Sequence, residues 1–332
     1  MRTIRSGLWL FKMRASLHQL KVFHKVALVM NYTKAANELG LTQPAVSIQL
    51  KQLENNLDLP LFEKIGKKLF LTPAGQELKL FCSDLFERFD NIDMTLSAMK
   101  GNLEGEFRLA AVSSAKYFTP HLLGAFHKRY PKVNLHLDIV NREQMIQRLQ
   151  DNNDDLVIMG LVPHSMALTS HPFIDNPIVA IASPCHPLAG KKKIKLSELS
   201  NYPFIFREKG SGTRKALEDF FQKKGLTIQP NMLLGSSETI KQAVMADLGI
   251  SALSRHSVTL ELATNSLVEL DIDNFPLIKS WYLVHNEKKY LSPVAQAFIN
   301  FALSPQENVA GLCNRFMARH FIEKENQSDA EN

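Results

Sequence analysis

The chain has 332 residues, 45% hydrophobic and 22% charged, with a formal net charge of +6. That is long enough for two or three substantial cores and too apolar for a disordered polyelectrolyte. No apolar run approaches the roughly 20 residues of a membrane span. Cys82, Cys185 and Cys313 are widely scattered with no CxxC, which speaks against a disulfide framework and against a zinc site. A reducing, cytoplasmic setting is the expectation. LWLF at 8–11 is too short for a signal-peptide core. Structured patterning starts after Met13, so residues 1–14 read as a leader that is not native. The charge is unevenly placed. Residues 1–72 hold 11 Lys/Arg against 4 Asp/Glu, a balance of +7, and the remainder is near neutral. A basic end of this kind suits a polyanion.

Leu17, Leu20, Val22, Phe23, Val26 and Val29 form a helical stripe over 17–30. A short helix follows, capped by Asn31 or Thr33, containing Ala35, Ala36 and Leu39 and ended by Gly40. Only Leu41 and Thr42 separate it from LTQPAVSIQLKQLE, where Val46, Leu50 and Leu53 share one face, Thr42 caps and Pro44 fits the first turn. Two short helices joined by a tight glycine turn make a helix-turn-helix, whose second helix enters the DNA major groove. Gln43, Ser47 and Gln49 then suit base edges, and Pro44 or Ala45 a thymine methyl. Lys51 suits a phosphate, and Thr33 and Thr42 complete the DNA-facing set. In PLFEKIGKKLFLT, Gly66 breaks two strand-like pieces into a wing that offers Lys64, Lys67 and Lys68 to the backbone.

The run AANELGLTQPAVSIQLKQLENNLDLPLFEKIGKKLFLTPAG resembles the amino-terminal domain of LysR-type transcriptional regulators, from Leu17 through Gly75. It departs from many members at Ile48, where they carry Arg or Lys.

Thr72-Pro73 signals another helix start. Leu78, Cys82, Leu85, Phe89, Ile92, Leu96 and Met99 step by alternating fours and threes, a heptad seam that predicts self-association over 73–100. Leu78, Leu85, Phe89, Ile92 and Leu96 are its principal contacts. The resemblance implies the same pairing, with homodimers that assemble further into homotetramers, bend DNA and contact RNA polymerase.

Beyond Gly101 and Gly105 the pattern alternates between strands and helices. Strands are expected at 107–112, 134–140, 155–160 and 177–183, with helices at 119–130 and 143–151 between the early ones. A second set comprises strands at 203–206, 231–234 and 249–254 and helices at 213–224 and 237–247. A strand at 280–286 and a helix at 292–303 close the pattern. The fold class expected is α+β overall. It comprises a winged helix-turn-helix (15–72), a linker helix (73–100) and a two-lobed, doubly wound α/β effector domain of periplasmic-binding-protein type (101–303). Lobe one takes 105–180 and 282–303, lobe two takes 181–281, and 304–332 form a polar tail.

Ligands in such folds sit at the carboxy ends of strands, between the lobes. Ser113-Ser114 and Asn141-Arg142 follow the first two strands, whereas Gly210-Ser211-Gly212 precede a helix carrying Thr213 and Arg214. Ser236 repeats the Gly-Ser theme before another helix. Free N–H groups, hydroxyls and two arginines, Arg142 and Arg214, point to an anion site. AVSSAKYFTPHLL, VNREQMIQRLQDNNDDLVIMG, FREKGSGTRKALEDFF and SWYLVHNEKKYLSPVAQAF resemble the RuBisCO-operon regulators within the LysR family. Cys185 replaces an acidic residue common there. The resemblance implies a phosphorylated metabolite or NADPH as effector, with no catalytic residues, no metal and no bound cofactor. S-x-x-K at Ser113–Lys116 lacks the S-D-N and K-T-G that a penicillin-binding enzyme needs, and neither a P-loop nor H-E-x-x-H occurs. The alternatives are a two-lobed solute-binding protein without DNA affinity, or a LysR-type regulator of an unrelated operon.

Overall fold

The computed structural model describes residues 15–66, 68–99 and 102–305; the expected leader, most of the expected polar tail and Lys67 lie outside them. The chain divides into two compact units between Ile92 and Asp93.

The first unit opens with α1 (Leu17–Val29), α2 (Tyr32–Leu39) and α3 (Gln43–Leu57). Each begins at a side-chain cap. Ser16 and Gln19 form a capping box on α1, the Asn31 side chain accepts from the Lys34 N–H, and Thr42 caps α3 with Pro44 in the first turn. Asn31, not Thr33, is therefore the cap of α2. Gly40 ends that helix at φ +66°, in the left-handed region that glycine enters without a Cβ penalty. β1 (Phe62–Ile65) and β2 (Lys68–Leu71) pair antiparallel as the wing. The Glu54 carboxylate accepts the Leu61 N–H at 2.8 Å and so ties the wing to α3. Val22, Phe23, Val26, Val46, Leu50, Leu53 and Leu61 build the core.

α4 (Pro73–Met99) follows. Its start lies so close to the wing that a Cβ on Gly75 would sit 2.1 Å from the Leu61 carbonyl oxygen. Only glycine fits there. In the first half of the expected self-association seam, Cys82 is fully buried and Leu78 and Leu85, half-buried, pack against the first unit's own core. Burial pushes the Cys82 thiol up to about 12. The second half is open: Phe89, Ile92 and Leu96 are 48%, 54% and 53% exposed.

The second unit is one nine-stranded mixed sheet with helices on it. β3 (Gly105–Val112), β4 (Val133–Val140) and β5 (Leu156–Met159) are mutually parallel, linked by α5 (Thr119–Arg129) and α6 (Arg142–Gln150). β6 (Leu168–Ala182) and β11 (Leu277–Asn286) run antiparallel through the middle and carry the sheet from one half to the other. The far half holds β7 (Phe204–Arg207), α7 (Gly212–Lys223), β8 (Met232–Leu234), α8 (Ser237–Met245) and β9 (Ile250–Ser254). There β8 and β9 flank β7 in parallel. α9 (Thr259–Ala263), β10 (Val268–Glu269) and α10 (Pro293–Leu303) complete it. One core gathers Phe107, Phe118, Phe126, Trp281 and Phe298, and another Phe204, Phe206, Leu217 and Phe221.

Candidate effector cleft and DNA-facing surface

The polar faces of α2 and α3 remain available in the first unit. Thr33, Thr42, Gln43, Pro44, Ser47 and Lys51 are exposed, as are Lys64 and Lys68 on the wing, whereas Gln49 is half-buried. Thr42 is engaged, since its hydroxyl accepts the Ala45 N–H at 3.4 Å. Ile48 stands 56% exposed among these polar groups.

In the second unit the loops after β3, β5 and β7 and the start of α7 line an open cleft. Ser113, Ser114 and Arg142 line it from one half, and Arg207, Glu208, Ser211, Gly212 and Thr213 from the other; Asn176, Lys279 and Trp281 of the two long strands also line it. Gly160 keeps this wall open: a Cβ there would lie 3.2 Å from Asn176 Nδ2 and 3.3 Å from the Trp281 ring, and would press on both. Ser211 caps α7, its hydroxyl accepting the Arg214 N–H at 3.5 Å. The N–H groups of Gly212 and Thr213 are then the orphan donors of the helix start, where the dipole favours an anion. Arg142 contributes a buried Nε with no hydrogen-bond partner among the described residues.

Three expected lining residues are placed elsewhere. Asn141 caps α6, its amide oxygen accepting the Gln144 N–H at 2.9 Å, and it does not line the cleft. Ser236 caps α8 in the same way at 3.1 Å. Arg214 turns away: its Nε donates to Glu218 at 2.7 Å and its Nη1 to the Arg207 carbonyl at 3.1 Å, with the guanidinium over the Phe206 ring. The second cleft arginine is Arg207, which the sequence pattern did not single out. Its side chain is 4% exposed. It donates to Glu208 through Nε at 2.7 Å and Nη2 at 2.8 Å, to Ser237 through Nη1 at 3.0 Å and to Ser113 through Nη2 at 3.2 Å. The last of these bonds spans the cleft.

A second polar link joins the two halves of the unit. The Tyr117 hydroxyl donates to Glu238 Oε1 at 2.8 Å, and Glu238 is paired with the buried Lys241 at 3.0 Å. Burial pushes the Glu238 carboxyl up, but the Tyr117 and Lys241 hydrogen bonds prevail and hold it below the usual range. Burial and the same bond raise the Tyr117 phenol. Among the described residues no group of three His, Cys, Asp or Glu is placed to hold a metal ion. No helix among them is long and apolar enough to cross a membrane.

Comparison with known proteins agrees with both halves of this architecture. Residues 17–76 match the bacterial regulatory helix-turn-helix of the LysR family, and residues 100–305 match the LysR substrate-binding domain. The chain is similar to a RuBisCO operon transcriptional regulator of Allochromatium vinosum, 44% identical over 88% of this chain and 97% of that protein. It is also similar to the transcriptional activator CmpR of Synechocystis, 43% identical over 89% and 97% of the two chains. Among solved structures, the regulatory domain of Synechocystis CcmR in complex with 2-PG is 42% identical, with a TM-score of 0.59, covering 62% of this chain and 99% of that one. With a DNA-binding module and an effector domain both matched, and relatives at 43–44% identity covered over 97% of their length, the chain belongs to the LysR family of transcriptional regulators.

Proposed function

We propose that this regulator controls a RuBisCO or related carbon-fixation operon and that a small phosphorylated anion, with 2-PG the first candidate, binds in the cleft of its second unit. The observation that carries the reading is Arg142. A buried guanidinium nitrogen without a partner costs stability, so its place in a cleft beside the Gly212 and Thr213 N–H groups suits an anionic ligand. Relatives at 43–44% identity are named RuBisCO operon transcriptional regulators, and one relative was solved with 2-PG. NADPH is the second effector to test, because its phosphates present the same chemistry. The protein acts as a binding protein rather than an enzyme, in the cytoplasm. Gln43, Ser47 and Gln49 read bases, Lys51, Lys67 and Lys68 hold phosphates, and the exposed Phe89, Ile92 and Leu96 pair two chains so that two half-sites are read together. Higher assembly and contact with RNA polymerase follow from the family.

Isothermal titration of the full-length protein with 2-PG and with NADPH tests the effector assignment. Saturable binding of 2-PG that Thr213→Val weakens is the expected result. Absence of binding by either compound would remove the anion reading. Gel shift with the operator separates a regulator from a two-lobed binding protein without DNA affinity.

A further inference from the structure

We infer that Glu208 is a built-in competitor for the effector: its carboxylate occupies the guanidinium fork of Arg207, and an anion entering the cleft must displace it. The inference rests on the proposal that the cleft takes an anion. It comes from counting donors. A guanidinium has five N–H bonds. Arg207 spends one through Nε on Glu208 Oε2, one through Nη2 on Glu208 Oε1, one through Nη2 on Ser113 and one through Nη1 on Ser237. One Nη1 N–H is left, which cannot grip an anion bidentately. Arg207 is nonetheless a cleft-lining residue and 4% exposed.

The two bonds to Glu208 have the parallel geometry that a phosphate or carboxylate ligand would adopt on the same fork. Glu208 can leave. Its side chain is 33% exposed, its carboxylate has no other hydrogen-bond partner among the described residues, and it stands two residues before Gly210, whose φ of +87° marks a turn. Once displaced, the carboxylate rehydrates at the cleft mouth. Ser113 and Ser237 keep the guanidinium aimed. An anion then gains Arg207 together with Arg142 and the α7 start. Such a swap lowers affinity for weak anions, which cannot outcompete the resident carboxylate.

The test is titration of full-length wild type, Glu208→Gln and Glu218→Gln with 2-PG and, separately, inorganic phosphate. Glu218 pairs with Arg214 outside the cleft and is the control. Glu208→Gln should tighten 2-PG about tenfold or more, the difference made by removing a charge-assisted competitor. Glu218→Gln should bind as wild type does. Glu208→Ala, with its thermal melt, guards against an artefact of the amide and should tighten binding too. If wild type binds 2-PG and both Glu208 variants bind it equally or more weakly, Glu208 positions Arg207 rather than competing for it, and the inference fails while the anion reading stands. If no variant binds 2-PG or phosphate, both fail.

Discussion

Arg142 and Arg148 lie on one helix and offer a paired test of which arginine serves the fold and which serves the ligand. Arg148 donates twice to Asp154, at 2.8 and 2.7 Å, and once to Asp138 at 2.6 Å. The Asp154 carboxylate is 2% exposed. Arg148→Met would leave that buried charge unpaired, at a cost of about 2–4 kcal/mol, somewhat below a fully buried pair because Arg148 itself is 25% exposed. Among the described residues Arg142 has no such partner, and its Nε is buried without a hydrogen bond to any of them. Arg142→Met keeps the aliphatic stem and removes the orphan donor, so stability should hold or rise by up to about 1 kcal/mol. Binding should move the other way. Loss of a charged donor should weaken 2-PG by about 1.5–3 kcal/mol, tenfold to more than a hundredfold. Urea unfolding followed by the fluorescence of buried Trp281 reads the first quantity, and calorimetric titration the second. If Arg142→Met destabilised the fold as much as Arg148→Met and left 2-PG affinity unchanged, Arg142 would be a structural residue and the cleft assignment would lose its main support.

The DNA-binding unit should be acid-sensitive through His24. Burial, with the Lys79 and Lys25 charges, holds its imidazole down to about 4. Protons therefore bind the unfolded chain first, so stability is full above about 6.5 and is lost as pH falls toward about 4, by on the order of 1–2 kcal/mol after allowance for solvent; His24→Gln should flatten that slope in urea melts. Gln43→Ala should cost roughly 1–3 kcal/mol of operator affinity and relax preference at one base pair, whereas Lys68→Ala should weaken all sequences alike and lower the salt slope by about one. Binding-site selection on randomised DNA distinguishes the two. Phe89→Asp with Ile92→Asp should give folded monomers by sedimentation, because both side chains are exposed, whereas Leu85→Asp, set against the first unit's core, should unfold that unit.

What could be read in advance was local. Caps and apolar spacing mark α1, α2 and α3, and Asn31, Gly40 and Thr42 stand within a few residues of the groups they satisfy. Arg207 was not legible, because nothing near FIFR announces it; only the sheet brings it to Ser113, 94 positions away. The first half of β6 was also hidden. Its LTSHPFIDN carries Pro172 and polar residues that suit no isolated strand, yet β11 pairs with it along its length. Two misplacements had signals in the sequence. Arg214 and Glu218 are an i,i+4 pair that draws the guanidinium along α7. Asn141 and Gln144 form a capping box, which commits Asn141 to the helix start. The heptad spacing in α4 favours self-association, and nothing in that spacing shows that Cys82 is buried in the first unit's own core with Leu78 and Leu85 packed beside it.

The claim that a small anion in the cleft governs DNA binding is tested most directly by footprinting the full-length protein on the DNA upstream of a RuBisCO operon, with and without 2-PG. A protected region whose extent or bending changes with 2-PG in wild type, and stays fixed in Arg142→Met while protection persists, is the predicted result. A footprint that 2-PG leaves unaltered in wild type, or alters equally in Arg142→Met, would contradict it.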